Sequence, residues 1–118
     1  MAAEDTTKEI PADLARAGEA RHFISWRASV AGLGDGDLSE LATAAEAVLT
    51  DVFLSAEGGV LKISSEHSSE RLTITIEHPE LSPQSRRMHN LSELLERFVD
   101  GYEISATRTV LMKDLRRR

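Results

Sequence analysis

The stretch DLSELATAAEAVLTDVFLSA, residues 37–56, decides the fold. Leu38, Leu41, Ala42, Ala45, Val48, Leu49, Val52 and Phe53 recur at spacings of three and four. At about 100° per residue these positions make one stripe, so a helix packs its whole length onto something apolar. Asp37-Leu38-Ser39-Glu40 reads as an acidic capping box with Asp37 as N-cap. The helix is expected to stop near Ala56, before Gly58-Gly59.

Past the glycines the period changes to two. Val60, Leu61 and Ile63 suggest one strand, and Leu72, Ile74 and Ile76 alternate with Thr73, Thr75 and Glu77 in a second. Ser64 to Glu70 reads as a polar hairpin connection, and the threonines imply that one sheet face is only partly buried. His78 to His89, with Pro79 and Pro83, is expected to be irregular. Asn90-Leu91-Ser92-Glu93 is a second capping box, opening a helix that buries Leu91, Leu94, Leu95, Phe98 and Val99 and closes at Asp100-Gly101. Tyr102–Ser105 and Thr109–Met112 then form a final hairpin.

Toward the N-terminus, Ala12 to Val30 carries a helical period with Leu14, Ala17, Phe23, Trp26 and Val30 as candidate buried positions, ended by Gly32, Gly34 and Gly36. Lys8 to Ile10 suits a short edge strand that stops at Pro11, which cannot donate to a ladder. The expected organisation is a flexible tail over 1–7, one domain over 8–114 and a basic tail over 115–118. Its fold class is a two-layer α/β sandwich, with helices on one face of a mixed, mainly antiparallel sheet.

Composition narrows the function classes. The net charge of −6 is uneven: residues 1–57 hold eleven acids and four bases, residues 58–118 nine acids and ten bases. An acidic first half argues against nucleic acid, which needs a continuous basic surface; it suits a basic protein partner, or else is a solvated surface that keeps the protein soluble. No apolar run approaches the roughly 20 residues that span a bilayer, so no membrane contact is expected. The start of the chain has neither a basic stretch nor an apolar region, and cysteine is absent; a cytoplasmic location is expected. His22, His67, His78 and His89 lack metal-ligand spacing, and neither a P-loop nor a Gly-x-Ser-x-Gly turn is present.

Pro11-Ala12-Asp13-Leu14-Ala15-Arg16-Ala17, the connector Ala31-Gly32-Leu33-Gly34-Asp35-Gly36-Asp37-Leu38 and Arg108-Thr109-Val110-Leu111 sit at matching places in a familiar order of elements. That order resembles the ATP-binding domain shared by histidine kinases and gyrase, the GHKL superfamily. In its short single-domain form it resembles the anti-sigma-factor serine kinases. The resemblance spans about residues 8–114. It implies a histidine-kinase-like ATPase fold, a homodimer, and a bacterial sigma factor or a small antagonist protein as partner.

Carried over position by position, the family's site is altered. The catalytic Glu falls on Ala47, which cannot accept a proton; a shift of one residue makes Glu46 the candidate. Glu46 and Ala47 point about 100° apart, and the other reading of Glu46 is a solvated helix residue. The magnesium-binding Asn falls on Asp51, whose carboxylate is a candidate metal ligand, or else a surface acid. The Asp that reads adenine falls on His78, a single neutral acceptor, or else a strand-end surface histidine. The Gly-rich turn falls on Met88-His89-Asn90-Leu91, leaving Asn90 as a candidate nucleotide contact or a plain cap, with Arg86 and Arg87 before it. Arg108 and Thr109 complete the cofactor-binding candidates. Loss of each needed group costs about 1–3 kcal/mol, so no cofactor is expected. The reading is a pseudokinase-like regulator that binds its partner protein. The alternative is an active anti-sigma serine/threonine kinase using ATP and magnesium through Glu46 and Asp51. A third reading is a dimerisation module without sigma contact.

Overall fold

The computed structural model describes residues 6–56, 58–81 and 90–115. The change of period at Gly58-Gly59 becomes a turn in which both glycines take positive φ, 99° and 92°. It joins the long helix α2, Asp35–Ser55, to strand β2, Val60–His67. β2 pairs antiparallel with β3, Arg71–Glu77, in a register that sets Ile63 across from Ile76 and Ser65 across from Ile74. β2 therefore runs past the expected hairpin start, and only Ser68–Glu70 turn. Ser65 continues the inward parity of Leu61 and Ile63, and is buried with them.

The order of elements is β1 (Thr7–Pro11), a 3-10 turn (Leu14–Arg16), α1 (Ala17–Ala31), α2, β2, β3, α3 (Leu91–Phe98), β4 (Gly101–Ile104) and β5 (Arg108–Asp114). The sheet order is β1-β2-β3-β5-β4, and every neighbouring pair is antiparallel. The sequence suggested a mixed sheet. The crossover through α3 does connect two parallel strands, β3 and β4, but β5 lies between them, so no parallel ladder forms.

One sheet face carries Ile10, Leu61, Ile63, Leu72, Ile74, Ile76 and Leu111, all at most 1% exposed. Against it pack Ala20, Ile24 and Ala28 of α1, Leu41, Val48, Leu49 and Val52 of α2, and Leu91 and Leu95 of α3. Lys62, Glu66, Glu77, Glu103 and Arg108 face solvent on the other side, with Thr73 and Thr75 half-buried between them. The molecule is thus two layers with one open sheet face.

Four local expectations are corrected. The N-cap of α2 is Gly34 rather than Asp37, so Asp35 and Asp37 both lie in the first turn, where the helix dipole favours acids. The first helix opens late: Asp13 caps a 3-10 turn by accepting from Ala15 N–H at 3.1 Å, and α-geometry begins at Ala17. Its expected phase holds only in part, with Ala17 and Phe23 buried. Leu14, Trp26 and Val30 are 55%, 43% and 42% exposed, while Ala20, Ile24, Arg27 and Ala28 point inward. Asn90 stands at the N-cap of α3 without a side-chain capping bond. Arg86, Arg87, Met88 and His89, and the arginines 116–118, lie outside the described residues, as do residues 1–5. Among the described residues no helix is long and apolar enough to cross a membrane.

Candidate functional site

The alternation of β3 runs one step past its end, so residue 78 shares the helix-facing side of Leu72, Ile74 and Ile76. His78 is 6% exposed, and its backbone N–H donates to Thr107 O at 2.9 Å, tying it to the start of β5. Its Nδ1 lies 3.0 Å from Pro79 O and its Nε2 3.3 Å from Thr109 Oγ1. A carbonyl oxygen only accepts, so Nδ1 carries the proton in the neutral ring and Nε2 accepts from the Thr109 hydroxyl. Thr109 is fully buried on β5, across from Ile76.

α2 contributes Asp51, fully buried, and one turn later Ser55, whose hydroxyl is buried with no hydrogen-bond partner among the described residues. The turn after α2 meets the exit of β3: a Cβ built on Gly59 would stand 2.6 Å from Pro79 Cγ. The C-terminal end of α2 and the His78–Thr109 pair therefore occupy the same end of the molecule. Asp51 is an interior residue, not the surface acid of the alternative reading.

The remaining candidates are elsewhere. Glu46 is exposed and its Oε1 accepts from Arg21 Nη1 at 3.3 Å across the outer groove between α1 and α2. Ala47 is buried. Glu46 and Asp51 thus cannot face one ligand, and Glu46 is a solvated helix residue in a screened pair. Arg108 sits across from Glu77 on the open sheet face, the opposite side from Thr109. Its backbone closes the β4–β5 turn, donating to Ser105 Oγ at 3.0 Å and accepting from Ser105 N–H at 2.8 Å. Asn90 is exposed at the start of α3.

As a site for magnesium and ATP, the described residues fit poorly. At the positions that the resemblance implies, His78 Nε2 is engaged by Thr109, residue 47 presents a methyl group, and Arg108 lies on the opposite sheet face. Among the described residues no group of three or more His, Asp or Glu side chains could hold a metal ion. What the arrangement provides is a satisfied internal relay, Thr109 to His78 to Pro79, with a buried carboxylate on the adjoining helix.

Two buried polar pairs escaped the sequence reading. Arg27, 1% exposed, donates from Nε to Ser65 Oγ at 2.8 Å, and its guanidinium carbon lies 5.1 Å from the Trp26 ring centroid. Lys113 on β5 is 5% exposed; its Nζ donates to Glu40 Oε1 at 2.7 Å and to Phe98 O at 3.0 Å, with Asp37 Oδ1 at 3.7 Å. Arg27 follows Ala20 and Ile24 by seven and three residues, and Lys113 follows Thr109 and Leu111 at strand parity, so periodicity carried both signals. No protein-family model matches the chain, and no curated protein matches it.

Proposed function

We propose that this chain is a protein-binding regulator of the anti-sigma type, acting by direct contact with a bacterial sigma factor or with the small antagonist that competes for it. It works as a homodimer and without phosphoryl transfer. The order of elements and the stretches at 11–17, 31–38 and 108–111 support the family reading. The acidic first half suits a basic partner segment.

The observation that carries the non-catalytic part is the His78–Thr109 bond. The one acceptor available at the purine-reading position is engaged inside the protein, so a nucleotide must break a buried hydrogen bond to gain one. Catalysis also requires Glu46 to leave Arg21 and rotate inward on a continuous helix.

Isothermal titration with Mg-ATP and copurification with the sigma factors and antagonists of the host test the two halves separately. The expected result is no heat with Mg-ATP and a stable complex with one of those proteins. Micromolar nucleotide binding with transfer of phosphate to an antagonist serine would establish the kinase instead. Absence of any such complex would leave only the dimerisation module.

A further inference from the structure

β1 is an edge strand, and its hydrogen-bonding pattern can be read residue by residue. Ser65 N–H donates to Thr6 O at 2.8 Å, and Ala12 N–H donates to Gly59 O at 2.9 Å. The bonds alternate along an antiparallel strand, so Lys8 and Ile10 also turn their peptide groups toward β2. Thr7, Glu9 and Pro11 turn theirs outward. The missing N–H of Pro11 falls on the outward side, where the ladder does not need it.

Above this edge α1 overhangs. A groove of about 440 Å³ runs between the two, with Thr7 and Lys8 on the strand side and Gly18, His22, Phe23 and Trp26 on the helix side. Phe23 and Trp26 pack at 6.1 Å between ring centroids and form its apolar wall. The Glu19 carboxylate at its rim is bound by Arg16.

We propose that this edge and groove accept one extended strand from a different protein, paired antiparallel to β1. Adding a strand satisfies the outward groups of Thr7 and Glu9, and alternate guest side chains enter the groove. Charge defines the guest: a basic residue across from Glu9, an acidic residue across from Lys8, and an apolar residue two places further on, against Phe23 and Trp26.

The same charges exclude a second copy. A two-fold pairing centred on Lys8 sets Lys8 directly across from its own copy. Centred on Glu9, it opposes two glutamates and sets Thr7 across from Pro11, which returns no N–H. Centred on Thr7, it leaves a single bonded pair within β1, and centred on Ile10 it sets Glu9 across from Pro11, which again returns no N–H. Like charges directly opposite one another destabilise a ladder. A homodimer of this chain therefore meets through another surface. None of this depends on the anti-sigma reading.

The probe is a peptide with the core Val-Arg-Glu-Thr-Leu, in which Arg faces Glu9 and Glu faces Lys8. Trp26 is the sole tryptophan and reports from the groove wall. The expected result is a saturable blue shift of its emission. A second peptide with Lys in place of Glu binds about tenfold more weakly, and Lys8→Glu reverses that preference. Thr7→Pro removes an outward N–H and the exposed 3.5 Å side-chain bond to Ser64 while sparing the backbone bonds to β2, and weakens binding about tenfold with an unchanged circular dichroism spectrum. Equal binding of both peptides, no shift of Trp26, or loss of a dimer on Thr7→Pro without any peptide effect would each overturn the proposal. The last would assign the edge to a second copy.

Discussion

Replacing Ser55 by Ala should make the protein more stable. Ser55 is the last residue of α2 and 8% exposed, and its hydroxyl has no partner among the described residues. A buried hydroxyl left unbonded costs about 1–3 kcal/mol relative to an apolar group of similar shape. Alanine adds about 0.3–0.5 kcal/mol of helix propensity, and the space left by one oxygen returns a few tenths of that as a small cavity. The net expectation is a gain of about 1–2 kcal/mol, or a rise in Tm of roughly 3–10 °C for a chain of this size. Urea denaturation followed by Trp26 emission and far-UV circular dichroism measures it, with calorimetry as the second readout. Thr50→Ala, at an exposed position of the same helix, isolates the propensity share and should gain no more than about 0.7 kcal/mol. A loss of stability on Ser55→Ala would refute this, showing that the hydroxyl holds a bond in solution at the end of α2.

Gly59→Ala forces a Cβ to within 2.6 Å of Pro79 Cγ at a φ of 92°, and should cost at least about 2 kcal/mol. Gly58→Ala, at a φ of 99° but in open space, should cost about 1 kcal/mol; equal urea midpoints would dissolve the contact. Lys113→Met removes the bonds to Glu40 and Phe98 O and should cost about 1–3 kcal/mol. Coupling to Glu40→Gln should stay under about 1 kcal/mol, because Glu40 is nearly half exposed and screened. Glu46→Gln should change stability by less than about 0.5 kcal/mol and leave partner binding intact, as its pair with Arg21 is exposed on both sides. Tyr102 donates to Glu96 Oε2 at 2.9 Å, and this bond, followed by partial desolvation and the carboxylate charge, raises the phenol pKa above its ordinary value. The folded state favours the neutral phenol, so this contribution is present below the unfolded pKa of about 10 and lost as pH rises through the folded pKa. Glu96→Gln should lower the ultraviolet titration midpoint of Tyr102.

Elements built on long, regular repeats were legible in the sequence. The stripe from Leu41 to Phe53 located α2, and Leu72, Ile74 and Ile76 located β3 and carried the inward parity on to His78. Boundaries set by single contacts were not. Gly34-Asp35-Gly36 reads as a helix stop, yet glycine is an acceptable N-cap and acids suit the first turn; Asp37 is drawn toward Lys113 instead of capping. In α1 the large side chains misled in part: Phe23 is buried as expected, while Leu14 is exposed. Ala20 and Ala28 let the helix approach, while Trp26 and Val30 stay outside. Of the candidate site, sequence parity placed His78 on the helix-facing side, and the β3–β5 register brings Thr109 to it. That Arg108 turns to the other followed from the same alternation, one residue earlier. The burial of Asp51 depends on tertiary packing that no local pattern encodes.

β5 enters the sheet between two strands that are both made before it, and β4 has no other neighbour. A nascent chain cannot close this sheet until Asp114 has emerged from the ribosome; until then β3 offers an open hydrogen-bonding edge beside its Leu72–Ile76 face. Completion of β5 is therefore needed before β3 is paired on both sides. A chain cut short before residue 108 would carry the exposed edge permanently and be drawn toward aggregation instead.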